Sequence, residues 1–270
     1  MSNSTYARLA ALLAVILCLA GCASEAPTSE SVPSKTVPPT PCSAEHTLWL
    51  PDPGGGRLSA STLGSGTTAA VFLHETGRTG RCGWVAYARW LTSHNHVLAV
   101  LVDRCGNGES TCTTVPTGDA GIRAQTQPAI DWAVSHGATR IVLVGASGGG
   151  GDALEAAGVL KPVSALVDIS GDGNDTGATD TTDASRDQIP TLFAVAPQDP
   201  YVSVPEVRQL FGLVPDHDKR CDLLTTQPAE HGWNLLTDPG SGAVTPFAST
   251  VADWIQGHYT GTSNCQVVAE

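Results

Sequence analysis

The chain has 270 residues, of which 41% are hydrophobic and 15% charged, and it carries a formal net charge of −12 at pH 7. No cluster of Lys and Arg breaks that acidic balance, which argues against a nucleic-acid partner held through its phosphates. Eight cysteines are present without a single CxxC pair, which argues against a zinc site.

The elements begin with a segment outside the fold. Arg8 precedes an apolar run from Leu9 to Ala20. That run is shorter than the roughly 20 residues a membrane-spanning helix needs and suits the core of an export signal. It ends in Leu19-Ala20-Gly21-Cys22, which resembles the lipobox of bacterial lipoproteins. The resemblance implies that residues 1–21 are a signal peptide, that Cys22 is lipidated, and that the exported protein is anchored to the cell membrane through that lipid. The alternative is an ordinary secretory signal with an incidental cysteine. Residues 22–41 are mostly Pro, Ser and Thr. Such a segment has too little apolar surface to offset its ordering entropy and reads as a tether, reaching roughly 60 Å if extended. The globular domain is then 42–270, about one domain's worth of chain.

Within the domain, short apolar runs alternate with longer segments of helical periodicity. Residues 47–51 and 56–62 read as a starting hairpin around Asp-Pro-Gly-Gly-Gly. Strands are expected at 69–75, 96–103, 140–147, 164–170, 191–199 and 221–231. Helices are expected at 84–94, 119–137, 151–160, 204–214 and 245–259. The strand runs are continuous rather than alternating, as in strands buried on both faces. Strands that alternate with helices imply a mostly parallel sheet with helices on both sides, an α/β fold whose chemistry gathers at the carboxyl ends of the strands.

At one such end stands Gly145-Ala146-Ser147-Gly148-Gly149, a G-x-S-x-G pattern with a strand before it and a helix after it. The glycines permit a sharp, strained turn in which side chains would collide, and the serine projects from its tip as a candidate nucleophile. A chain with 29 glycines can also produce the pattern as a simple βα turn. The run lacks the Lys-Ser/Thr end of a phosphate-binding loop.

This strand-turn-helix unit resembles that of the α/β-hydrolase family, and the resemblance extends over residues 45–260. Asp103-Arg104-Cys105-Gly106-Asn107-Gly108-Glu109-Ser110 is similar to a turn common in that family, with Cys105 ahead of Gly106. The family order of nucleophile, acid and histidine implies Asp199 as the acid, at the end of a later strand, with Asp172 and Asp168 as rivals. It implies His231 as the general base, with Gly232 leaving room for the imidazole to turn. The oxyanion donors are expected to be the backbone N–H groups of Gly148 and Thr76, with Glu75 as rival to Thr76 and His74 as a structural residue holding the loop. The short connection after residue 170 leaves no room for a large lid.

Trp84, Tyr87, Tyr201 and Trp233 flank the expected catalytic loops as candidate substrate-binding residues; the alternative is that they are core aromatics. For the six cysteines of the mature domain the expected pairs are Cys105–Cys112 within one loop, Cys221–Cys265, and Cys42–Cys82. Residues Asp172–Asp183 resemble an EF-hand calcium loop without its entering helix. A solvated acidic turn is the preferred reading, and neither a metal nor a cofactor is expected. The resulting expectation is a lipid-anchored serine hydrolase of α/β-hydrolase fold acting on a small-molecule carboxylic ester. A serine peptidase or amidase on the same triad, and a catalytically silent surface binding module, remain as alternatives.

Overall fold

The apolar runs become strands whose side chains divide between two cores. In β3 (Thr68–Leu73), Ala69, Val71 and Leu73 enter one core while Ala70 and Phe72 enter the other. This is the period of two that a strand with both faces covered must show. The same holds for β4 (Val97–Val102), which is buried along its whole length. In this computed structural model the described residues are 46–259 apart from 54, 78, 115–116, 172–178, 216–220 and 225–228. They fall within one compact unit, Pro38–Glu270.

Among the described residues the sheet has eight strands in the order β1-β2-β4-β3-β5-β6-β7-β8. β1 (His46–Asp52) and β2 (Gly56–Gly64) form the expected hairpin, and β2 runs antiparallel to β4. From β4 onward every pairing is parallel, through β3, β5 (Arg140–Ala146), β6 (Ala165–Ile169), β7 (Thr191–Val195) and β8 (Cys221–Leu224). Helices α1 (Val85–His94) and α6 (Pro246–Gln256) cover one face with Tyr87, Leu91, Val251 and Trp254. Helices α2 (Gly118–Ser135), α3 (Gly148–Val159) and α5 (Val204–Leu213) cover the other with Ile130, Leu154 and Leu210.

This arrangement creates the site. The chain leaves β3 toward α1 on one face and leaves the adjacent β5 toward α3 on the opposite face. Loops that part in this way leave a crevice at the carboxyl ends of the two strands, where ligands bind in open α/β sheets.

Two elements differ from their sequence expectation. Helix α3 begins at Gly148, three residues before the expected start; two of its opening glycines, Gly149 and Gly150, are required by close packing despite their poor helix propensity. Helix α4 (Thr179–Arg186) forms where only a connection was expected, and Ala184 enters the core beside α3. Residues 172–178 of the acidic segment lie outside the described residues, so the calcium-loop resemblance is not addressed there. The Cys105–Cys112 disulfide forms as expected, with Cα atoms 5.6 Å apart. Cys82 is disulfide-bonded. Its expected partner Cys42, together with Cys265, Cys22 and the signal and tether segments, lies outside the described residues.

A buried ion pair fixes the turn after β4. The Asp103 carboxylate accepts from the Arg81 guanidinium, from Arg81 N at 2.7 Å and from Ser59 Oγ at 2.9 Å, while Ser110 Oγ donates to Asp103 O at 2.8 Å. Asp103 is 1% exposed and Arg81 6%. Asp103→Ala strands the guanidinium without its counter-charge and should cost about 3 kcal/mol in urea unfolding. A loss below about 1 kcal/mol would show that the pair does not hold this turn.

Candidate active site

Ser147 occupies the turn between β5 and α3 with φ 52° and ψ −129°. A non-glycine residue at positive φ costs on the order of 1–3 kcal/mol and persists only where its surroundings impose it. Here they do. A Cβ on Gly145 would lie 2.0 Å from Gly149 O, and one on Gly149 would lie 2.4 Å from Leu73 O and 2.6 Å from His74 O. The two glycines of the sequence pattern are therefore sterically required. Ser147 N donates to Ile169 O at 2.9 Å, and Ser147 O accepts from Gly150 N at 2.7 Å, so the tip of the turn is held from both sides. Ser147 is partly exposed, and Gly148 opens the helix with its N–H at the helix N-terminus.

The residues expected as acid and base lie in contact. His231 Nδ1 lies 2.9 and 3.0 Å from the two carboxylate oxygens of Asp199, which fixes the donating tautomer on Nδ1 and leaves Nε2 to act as acceptor. The Asp199 side chain has no exposed surface and that of His231 is 12% exposed. Burial alone would raise the Asp199 pKa. Hydrogen bonds from His231, Tyr201 N, Ser170 and Val202 N outweigh it and hold the carboxyl below its usual range. The loop is short and closes into α5 through a capping box, in which Ser203 N donates to Glu206 Oε2 at 2.9 Å and Glu206 N to Ser203 Oγ at 3.4 Å. The rival Asp168 lies elsewhere. It is buried in β6, accepts from Gly171 N at 2.8 Å, and sits where a Cβ on Gly150 of α3 would fall. Asp172 is outside the described residues.

The loop after β3 is organised by His74 and Arg104. His74 Nδ1 donates to Glu75 O at 2.7 Å and Nε2 accepts from Arg104 N at 3.1 Å. Burial, with Arg104 nearby, lowers the His74 pKa to about 4, so the ring stays neutral and structural, as expected. Arg104 reaches His74 O at 3.1 Å and Asp152 of α3 at 2.6 Å, which ties the loop to the helix that follows Ser147. Thr76 is exposed in this loop and lines a polar cavity of about 460 Å³ with Gly77, Arg104, Asn107, Gln125 and Asp152.

Two sequence expectations need correction. Trp84 and Tyr87 have no exposed surface; Trp84 Nε1 donates to Leu73 O at 3.0 Å and its ring packs on Phe72, so both are core residues and not part of a binding surface. Gly232 makes room for Glu75 rather than for the imidazole: with φ +55°, its missing Cβ would lie 1.8 Å from Glu75 Oε1. The other two aromatics flank the site. Tyr201 is 76% exposed and meets the His231 ring edge-on at 4.8 Å, while the partly exposed Trp233 packs edge-on against Trp84.

Sequence reasoning missed the role of Glu75, which it named only as a rival oxyanion donor, and missed Ser170 altogether. Glu75 turns its carboxylate under the base loop, where Oε1 accepts from Trp233 N at 2.9 Å. An acidic residue in the loop expected to supply an oxyanion donor was the available signal. Ser170, at the end of β6, accepts from Gly232 N at 3.1 Å.

Solved structures share this architecture. An esterase from Pyrococcus furiosus aligns with a TM-score of 0.65 at 15% identity, over 80% of this chain and 91% of that one. An α/β hydrolase from Sphaerobacter thermophilus gives 0.58 at 15%, over 77% and 99%, and a monoacylglycerol lipase from Paleococcus ferrophilus 0.58 at 14%, over 74% and 99%. No protein-family profile and no curated protein sequence matches the chain. With its mostly parallel sheet, strained serine turn and these structural counterparts, the domain has the α/β-hydrolase fold.

Glu75 supplies a pH test of this geometry. Burial raises its pKa to about 7, partly offset by the Trp233 N–H and by His231. A carboxyl raised in the folded state binds its proton more tightly there than in the unfolded chain, so its contribution favours folding at low pH and is lost as pH rises toward 7. Gln at this position can still accept from Trp233 N and carries no charge. Glu75→Gln should therefore raise unfolding free energy by about 2 kcal/mol more at pH 8 than at pH 5. An equal effect at both pH values would contradict the burial described here.

Proposed function

We propose that this chain is a serine hydrolase that cleaves carboxylic esters through an acyl-enzyme on Ser147, exported and held at the cell membrane by lipid on Cys22. The observation that carries this reading is the buried Asp199–His231 pair at the ends of β7 and β8, in one sheet with a strained serine at the end of β5. His231 Nε2 takes the Ser147 proton as Oγ attacks the ester carbonyl, then delivers it to the departing alkoxide. Water repeats the sequence on the acyl-enzyme, returning the acid and the free serine. Asp199 keeps the imidazole in the required tautomer and stabilises its charged form. The N–H groups of Gly148 and Thr76 serve the oxyanion.

Esters are favoured as substrates by the names of the structural counterparts, which include an esterase and a monoacylglycerol lipase. The short α4 between β6 and β7 supports an open site. Tyr201 and Trp233 flank the base and provide the apolar contacts.

With p-nitrophenyl acetate as substrate, Ser147→Ala and His231→Ala should each abolish turnover above background, and Asp199→Asn should lower kcat on the order of 10⁴-fold. Wild-type turnover by Ser147→Ala would remove the proposed nucleophile. Turnover of anilide substrates at rates matching the esters would move the assignment to an amidase or peptidase. For the anchor, Cys22→Ser should leave the chain unprocessed or release it from membranes. A normally processed, membrane-bound variant would overturn the lipid assignment.

A further inference from the structure

We propose that Ser170 is a positioning residue that locks the acid loop to the base loop; the proposal rests on the triad reading above. Ser170 follows β6, which lies between the strand that carries Ser147 and the strand that precedes Asp199. It is fully buried. Its backbone N–H donates to Ala194 O of β7 at 2.7 Å, and the carbonyl before it, that of Ile169, accepts from Ser147 N at 2.9 Å. Its hydroxyl faces the remaining two members. Oγ accepts from Gly232 N, next to His231, at 3.1 Å. With one lone pair engaged by Gly232 N, the hydroxyl still has its hydrogen to offer, and the Ser170 hydroxyl is among the groups that hold the Asp199 carboxyl below its usual range. A hydroxyl can donate and accept at once, so a single side chain can serve both loops.

The backbone makes the case for the side chain. Ser170 has φ 54°. Among the described residues it shares a positive φ with one other non-glycine residue, Ser147. Glycine adopts such a conformation at no steric cost, whereas a side chain is strained there. Gly171 follows directly and shows that glycine is used at this turn. A residue needed only for the bend would be glycine as well. The hydroxyl at position 170 accounts for the strain that its side chain brings.

Its chemical effect passes through Asp199. The carboxylate charge is shared among His231, Ser170 and the N–H groups of Tyr201 and Val202. Without the Ser170 donor more of that charge falls on the imidazole, which favours the protonated ring. The base loop also loses the acceptor for Gly232 N, so His231 is held less firmly.

The test compares Ser170→Ala, which keeps the strain and removes the hydroxyl, with Ser170→Gly, which removes both. Melting temperatures are recorded for each, and kcat, KM and the pH profile of kcat/KM are measured on p-nitrophenyl acetate with Ser147→Ala as the reference. Both variants should lose roughly 10- to 100-fold in kcat with little change in KM. The acidic limb of the profile should move up by about half a pH unit. If Ser170→Gly folds and retains wild-type kcat and an unmoved acidic limb, the position serves only the backbone and the proposal is wrong. If Ser170→Ala does not fold, the glycine variant decides alone. An active Ser147→Ala protein would instead sink the triad reading, and the Ser170 proposal with it.

Discussion

The structure depends on one close approach. Where β5 turns into α3, the first turn of the helix runs against the backbone that ends β3, leaving 2.4 Å between Leu73 O and the place where a Cβ on Gly149 would stand. No side chain fits there, or at Gly145 beneath it. That contact brings the Ser147 turn and the loop of His74 to Thr76 to opposite lips of one crevice, and it holds Ser147 at φ 52° at the tip of the turn. Arg104 reinforces the approach from outside by joining His74 O to Asp152 of α3. The cost of four consecutive glycines in a helix start, up to about 1 kcal/mol each relative to alanine, is accepted because any larger residue at the contact points would clash with backbone.

On the far side of the crevice, two carboxylates share the surroundings of one histidine and are driven apart. Asp199 is enclosed, yet four donors converge on it, so its charge is held and its pKa falls. Glu75 is also buried but receives a backbone N–H from Trp233 against a dominant burial effect, and its pKa rises to about 7. Hydrogen bonds to the charged form decide the first case and desolvation the second. Environments that separate neighbouring acids in this way set their charges: Asp199 stays ionised beside the imidazole, and Glu75 carries little charge beside it below neutral pH.

Most of the fold was legible because the strands are buried on both faces and the turns are marked by glycine. The hairpin, the parallel sheet and the Cys105–Cys112 bridge follow from runs and spacings of a few residues. The Asp199–His231 contact was legible through the resemblance, whose order of nucleophile, acid and histidine along the chain implies those two residues. What was not legible depends on contacts between distant segments. Gly232 reads as freedom for a histidine until Glu75, 157 residues earlier, is seen to fill the space. Trp84 reads as a pocket residue until its enclosure by Phe72 and Trp233 is seen. Ser170 ends an apolar strand and carries no motif; only its φ and its two loop contacts distinguish it.

The central claim is that Ser147 is the activated nucleophile of an Asp199–His231 pair. The most direct measurement is treatment of the folded protein with a fluorophosphonate followed by peptide mapping in the mass spectrometer. The account predicts one adduct per chain, located on Ser147 in the peptide that spans β5 and α3, and loss of that adduct in the His231→Ala protein. An unlabelled wild-type chain, or an adduct on a different residue, would contradict it.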